Sequence, residues 1–159
     1  MTSAVERLVQ KLSSSRAFAR VAPHFVPALD RTLHRLTGGK VLLSAQMLPS
    51  LLLTARGAKS GLPRRTPLAC MPEGDGPGSW ILIGSNFGRP GHPHWTANLL
   101  AHPDAEISWK RRDIAVRARL LRGAEREAAW AAVVKFWPPY ARYQARVERE
   151  IRLFRLEWR

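Results

Sequence analysis

The sequence predicts an α+β fold: a small antiparallel β-barrel with flanking helices. Three observations lead there. Six short apolar runs of strand character are punctuated by glycine- and proline-rich turns. The helical stretches sit at the ends and at two connections, without the strand-helix alternation of a parallel sheet. The chain has 159 residues, 45% of them hydrophobic, enough for one core but too few for separate cofactor and substrate domains. The expected division is an N-terminal helical segment over residues 1–40 and a barrel domain over 41–159.

From Ser3 to Val21, Val5, Leu8, Val9, Leu12 and Phe18 recur near helical spacing, with Arg7, Lys11, Arg16 and Arg20 elsewhere on the wheel, so a basic amphipathic helix is expected. A second helix is expected over Pro27–Leu36, stopped by Thr37-Gly38-Gly39. Strands are expected at Leu51–Thr54, Thr66–Met71 and Trp80–Ser85, then a helix from Pro93 to Leu100, then strands at Ala105–Trp109 and Asp113–Leu121. In the latter strand Ile114, Val116, Ala118 and Leu120 share one face, and Arg117 and Arg119 the other. Helices over Ala124–Phe136 and Tyr140–Glu150, separated by Pro138-Pro139, precede a last strand at Ile151–Trp158.

Charge narrows the partner. There are 26 Lys and Arg against 12 Asp and Glu, a formal net charge of +14, and 21 of the cations are Arg, whose planar fork suits phosphate and carboxylate. An anionic partner follows: a phosphorylated or polycarboxylate cofactor, an acidic lipid surface, or nucleic acid. The single Cys70 rules out an intrachain disulfide framework and a thiolate metal cluster, which suits a reducing cytoplasm. No apolar run reaches the roughly 18 to 20 residues of a spanning helix, and no signal peptide is expected. Dispersed cations and the lack of a nucleic-acid motif argue against nucleic acid.

Three segments carry candidate chemistry. Arg56-Gly57-Ala58-Lys59-Ser60-Gly61-Leu62-Pro63-Arg64-Arg65 combines glycine-freed amides with cations, reading either as a phosphate cradle or as a solvated basic turn. Gly84-Ser85-Asn86-Phe87-Gly88 leads through His92, His94 and Trp95 to Asn98; this suits a flat hydrogen-bonding ring, or a loop whose Asn98 bonds backbone. His92 and His94 lack companions for a metal site and read as surface residues. Trp137, Tyr140 and Tyr143, three apart around a helix break, read as aromatic core or as a pocket wall with a proton-donating hydroxyl. Paired carboxylates and Ser-His-Asp sets are absent, which argues against hydrolysis by those routes.

Taken in order, Leu51-Leu52-Leu53-Thr54, Gly57-Ala58-Lys59-Ser60-Gly61, Pro63-Arg64, Pro67-Leu68, Gly84-Ser85-Asn86, Pro93-His94-Trp95 with Asn98-Leu99, and Tyr140-Ala141-Arg142-Tyr143-Gln144 resemble the deazaflavin-dependent nitroreductase family. Thr37-Gly38-Gly39 matches a segment preceding that family's first strand. The resemblance implies a split β-barrel of the FMN-binding type and coenzyme F420, an 8-hydroxy-5-deazaflavin with a phosphate and an oligoglutamate tail. It implies that Lys59, Ser60 and Arg64, with Arg56 or Arg65 supplying a cation that Ala58 lacks, hold the phosphate and tail. Ser85, Asn86, Trp95 and Asn98 would border the ring. Ser85, Trp137, Tyr140 and Tyr143 would line the substrate pocket, and Tyr140, Tyr143 and Ser85 would be the catalytic candidates. Ala58, Cys70 and Trp137 depart from the family pattern, which uses Arg, an aromatic and a third Tyr there.

The implied reaction is hydride transfer to a small electron-poor acceptor such as a quinone, nitroaromatic or activated alkene, with a proton from Tyr140 or solvent. A Tyr with an ordinary pKa near 10 keeps its proton at neutral pH. The basic N-terminal helix would add peripheral attachment to an anionic membrane on its cytoplasmic side. The rival reading is a non-catalytic ligand carrier or membrane-surface protein on the same barrel.

Overall fold

Alternation along six strands closes the sheet on itself. The computed structural model describes residues 48–74 and 78–159, together with residues 7, 11, 15–17 and 20. Its strands are β1 (Ser50–Arg56), β2 (Pro63–Glu73), β3 (Ser79–Ile83), β4 (Asp104–Trp109), β5 (Arg112–Leu120) and β6 (Leu153–Trp158). They pair antiparallel in the order β1-β2-β3-β6-β5-β4, and pairing of β1 with β4, Leu53 opposite Ile107, completes a closed barrel. Helix α1 (His94–Ala101) connects β3 to β4, while α2 (Gly123–Phe136) and α3 (Pro139–Ala145) connect β5 to β6. The helices expected over Ser3–Val21 and Pro27–Leu36, and the boundary at residue 40, lie outside the described residues, except that Arg7, Lys11, Arg16, Ala17 and Arg20 are helical and exposed.

Side chains that alternate along a strand separate two apolar clusters. Leu51, Leu53, Cys70, Trp80, Leu82, Ile107, Ile114, Val116, Phe154 and Leu156 fill the barrel with Trp95 and Leu99 of α1. The opposite faces of β3 and β6 present Ile81, Ile83 and Leu153, which pack with Ala129, Val133, Trp137, Tyr140 and Tyr143 of the α2–α3 unit. Strand β5 behaves as its pattern predicts, with Ile114, Val116 and Ala118 buried and Arg117 and Arg119 exposed. The Cys70 thiol lies inside the barrel at 1% exposure, and burial pushes its pKa up to about 12.

Strands β1 and β2 extend beyond the expected Leu51–Thr54 and Thr66–Met71 because their pairing runs on to Arg56 opposite Pro63. Three further boundaries differ because a tertiary contact decides each. Strand β3 ends at Ile83 rather than Ser85, since the Gly84 amide turns to donate to the Arg152 carbonyl at 2.8 Å. Helix α3 stops at Ala145 rather than Glu150. There the Gln144 carboxamide donates to the Arg149 carbonyl and accepts from the Ile151 amide, recruiting the following chain into a tight return. Strand β6 starts at Leu153 rather than Ile151, whose carbonyl is taken by the buried Arg126 guanidinium at 2.9 Å. The β4–β5 hairpin is also unexpected in detail: Lys110 and Arg111, at φ 47 and 64, occupy left-handed backbone where Asn-Gly is usual.

Arg155 of β6 ties the end of β2 and the α2 connection together, reaching Glu73 of β2 at 2.8 and 2.9 Å and also Glu125 of α2. Burial alone would raise the Glu73 carboxyl, but hydrogen bonds from Arg155 and Ser79 outweigh it and hold the pKa below 4.5. A folded value below the unfolded one gives stability that is present above about pH 4.5 and lost as pH falls through the folded value. Urea unfolding of Glu73→Gln against the wild type should show a deficit of about 1 kcal/mol at neutral pH, modest because the pair is partly solvated. That deficit should shrink as pH falls below the ordinary carboxylate range.

Candidate functional site

The hairpin between β1 and β2 is built by its own backbone: the Gly57 amide donates to the Leu62 carbonyl at 2.8 Å, and the Gly61 amide to the Gly57 carbonyl at 2.9 Å. Ser60 Oγ accepts from the Leu62 amide at 3.2 Å and from Arg64 at 3.5 Å. A long-range bond anchors the loop to α1, from the Ala58 amide to Asn98 Oδ1 at 2.9 Å. Asn98 therefore acts on backbone, the reading its sequence context left open. Arg56, Lys59, Arg64 and Arg65 are exposed. Among the described residues none of the four is in an ion pair, whereas Arg117, Arg119, Arg126, Arg155 and Arg159 each meet a carboxylate. Four unneutralised cations on a glycine-bearing hairpin form a donor set for a phosphate or polycarboxylate.

The second loop follows β3. Because β1, β2 and β3 alternate in direction, the C-terminal ends of β1 and β3 lie at the same end of the barrel. There Asn86 and Phe87 take φ 48 and 54, and Gly88 φ 74, giving three successive left-handed residues in a 3-10 turn, Asn86–Gly88. At Gly88 a Cβ would stand 3.1 Å from Tyr143 Cα, so the turn is seated directly on α3. Asn86 Nδ2 closes the loop by donating to the Gly91 carbonyl at 2.9 Å. Arg149 reaches into it from the other side, donating to the carbonyls of Gly84, Ser85, Arg89 and Pro90 and meeting His92 Nδ1 at 3.2 Å. Partial burial first, then the charges of Arg152 and Arg149, lower the His92 pKa and favour its neutral, hydrogen-bond-accepting form.

The aromatic segment packs under this loop. Tyr143 meets Phe87 edge-on with centroids 6.2 Å apart and Tyr140 at 6.0 Å. Tyr140 and Trp137 are 5% and 7% exposed. Burial raises the Tyr140 pKa above its ordinary value of 10, with smaller contributions from Tyr143 and Cys70, so the expectation of an ordinary pKa is corrected. Its proton is held more firmly than in solvent.

The fold thus gathers the basic hairpin, the Ser85–Asn86 turn, Asn98 and the two tyrosines around one barrel end. Trp95 is placed otherwise: its ring lies in the barrel against Phe154, centroids 5.8 Å apart, with 6% exposure, rather than along an open ring site. Ser85 is itself buried and engaged through its carbonyl. An open recess of about 330 Å³ between α1 and β5–β6, floored by Leu99 and Phe154 and rimmed by Arg117 and Arg119, holds none of the site residues expected from sequence. No metal-binding group of His, Cys, Asp or Glu occurs among the described residues. Sequence reading missed Arg149, one of 21 arginines, and no local signal marks it.

The sequence profile of the F420H(2)-dependent quinone reductase family matches residues 29–157. The chain belongs to this family. An F420H(2)-dependent quinone reductase of Mycobacterium tuberculosis is 35% identical over 106 residues, covering 65% of this chain and 69% of that protein, and a Mycobacterium bovis relative aligns equally well. A solved F420-H2 dependent reductase superposes with TM-score 0.62 at 37% identity, covering 69% of this chain and 94% of that one. A domain-swapped dimer does so with TM-score 0.64 at 35% identity, covering 82% and 94%. The expected split-barrel fold, the oxidoreductase class and the dependence on coenzyme F420 are borne out. Quinone reduction is the activity the family carries.

Since Asn98 of α1 accepts from the Ala58 amide of the basic hairpin, Asn98→Ala should leave that amide without its partner. Amide exchange across residues 57–62 should speed up by several-fold, with global stability lowered by about 1 kcal/mol. Hydrogen-exchange mass spectrometry checks the first and urea unfolding the second.

Proposed function

We propose that this protein transfers a hydride from reduced coenzyme F420 to a quinone, and that nitroaromatics and activated alkenes also serve as acceptors. The observation that carries the reading is the set of four exposed, unneutralised cations on the β1–β2 hairpin, at the barrel end that also bears the Ser85–Asn86 turn. When bound in its reduced form, the coenzyme supplies the hydride. Lys59, Ser60 and Arg64 bind its phosphate and tail, with Arg56 and Arg65 adding positive potential in place of the cation absent at Ala58. The turn at Ser85 and Asn86 orients the ring system, while Asn98 of α1 holds the basic hairpin beside it through the Ala58 amide. Tyr143 and Trp137 wall the acceptor side, and Trp137 brings no acidic hydroxyl there. Tyr140 holds a proton at neutral pH and gives it to the acceptor oxygen as negative charge develops.

The acceptor chemistry also suits a surface location. No helix among the described residues is long and apolar enough to cross a membrane. The exposed, helical Arg7, Lys11, Arg16 and Arg20 support reversible attachment to anionic lipid, where lipid-soluble quinones partition.

Two variants test this reading. Lys59→Ala/Arg64→Ala should weaken deazaflavin binding by about 2 kcal/mol or more and flatten its salt dependence, measured by fluorescence titration at several ionic strengths. Unchanged affinity would remove the hairpin from the site. Tyr140→Phe should retain coenzyme affinity and slow single-turnover oxidation of the reduced deazaflavin by about 10- to 1,000-fold, with a quinone and with a nitroaromatic. Equal rates with a stability change of about 1 kcal/mol would make Tyr140 a packing residue only.

A further inference from the structure

A guanidinium carries five N–H donors in a rigid plane. Arg149 has five acceptors around it. Nε donates to the Pro90 carbonyl at 3.0 Å; Nη1 serves the Gly84 carbonyl at 3.1 Å and His92 Nδ1 at 3.2 Å; Nη2 serves the Ser85 and Arg89 carbonyls at 2.9 and 3.1 Å. All five acceptors belong to one loop, between residues 84 and 92, more than 55 positions away in sequence. That loop is where Asn86 and Phe87 stay in left-handed backbone without being glycine, a conformation that persists only when its surroundings over-determine it. Arg149 is itself fixed, since its carbonyl accepts at 2.8 Å from Nε2 of Gln144, in the last turn of α3. His92 contributes as an acceptor, and its neutral form is favoured first by partial burial and then by the charges of Arg152 and Arg149.

We propose that Arg149 is a positioning residue of the deazaflavin site: it holds the 84–92 loop in the left-handed conformation that presents Ser85 and Asn86 to the coenzyme ring. This rests on the functional reading above. Arg149 itself contacts neither coenzyme nor acceptor; it sets the geometry through four backbone carbonyls and one imidazole. Lys cannot replace it, because three donors on one nitrogen do not reach five acceptors spread along a loop.

The test uses the full chain as wild type, Arg149→Lys and Arg149→Ala, with Arg117→Ala, a surface partner of Asp104, as control. Amide exchange of the ligand-free proteins should accelerate across residues 84–92 in both Arg149 variants while the six strands keep their protection. Deazaflavin affinity, by fluorescence titration, should fall roughly 10- to 100-fold, the scale of loss when residues that orient the ligands of a metal site are removed. Guanidinium chloride at low millimolar concentration should restore part of that affinity to Arg149→Ala and none to Lys59→Ala/Arg64→Ala. Loop protection and affinity retained in Arg149→Lys would overturn the inference alone. Loss of protection throughout the strands would also overturn it, making Arg149 a general folding residue. A wild-type protein that does not bind deazaflavin would overturn the functional reading and this inference with it.

Discussion

Strand β3 and the first residues of β6 are buried on both faces, and the rest of the arrangement hangs on that constraint. Trp80, Leu82, Phe154 and Leu156 point into the barrel, while Ile81, Ile83 and Leu153 point out beneath the helical excursion between β5 and β6. Each buried aliphatic side chain of this kind contributes roughly 1.5 to 3 kcal/mol, so seating α2 and α3 is a substantial part of folding rather than a decoration of the barrel. Tyr140 and Tyr143 are carried into place by that packing. The Asn86–Gly88 turn is then seated on Tyr143, which links the outer core to the candidate site.

Charge is sorted with equal clarity. On the barrel wall and the α2 connection, three arginines meet carboxylates: Arg155 with Glu73 and Glu125, Arg119 with Glu125 and Glu157, Arg117 with Asp104. At the hairpin beyond β1 the cations meet no carboxylate among the described residues, and the solvated potential remains available to an incoming anion. An excess of +14 is thus not spread evenly in effect, because the paired arginines contribute little net field.

Much of the barrel was legible because its signals are local. The alternation of Ile114, Val116 and Ala118 with Arg117 and Arg119 specifies strand and face together, and Pro138-Pro139 separates α2 from α3 as its chemistry requires. Order and spacing of the Gly57–Gly61, Gly84–Asn86 and Tyr140–Gln144 segments made the family recognisable. The left-handed Asn86 and Phe87 were not legible, since neither residue type demands that backbone and the arginine that braces them lies beyond residue 145. The burial of Trp95 was missed for the related reason that its neighbour Phe154 comes from the last strand. Gln144 likewise acts at a distance its helix propensity does not encode, ending α3 by bonding the chain that follows.

The position of Cys70 has a consequence for handling a redox protein. A thiol held in its protonated form and walled in by Leu82, Trp80 and Phe154 is a poor nucleophile towards disulfides, peroxides and electrophilic quinones alike, because the thiolate is the reactive species. An acceptor that alkylates exposed cysteines therefore has no target here while the barrel stays shut. Conversely, any chemistry at this sulfur requires the strands to part, so the rate at which a small alkylating reagent modifies Cys70 is a built-in clock for opening of the barrel.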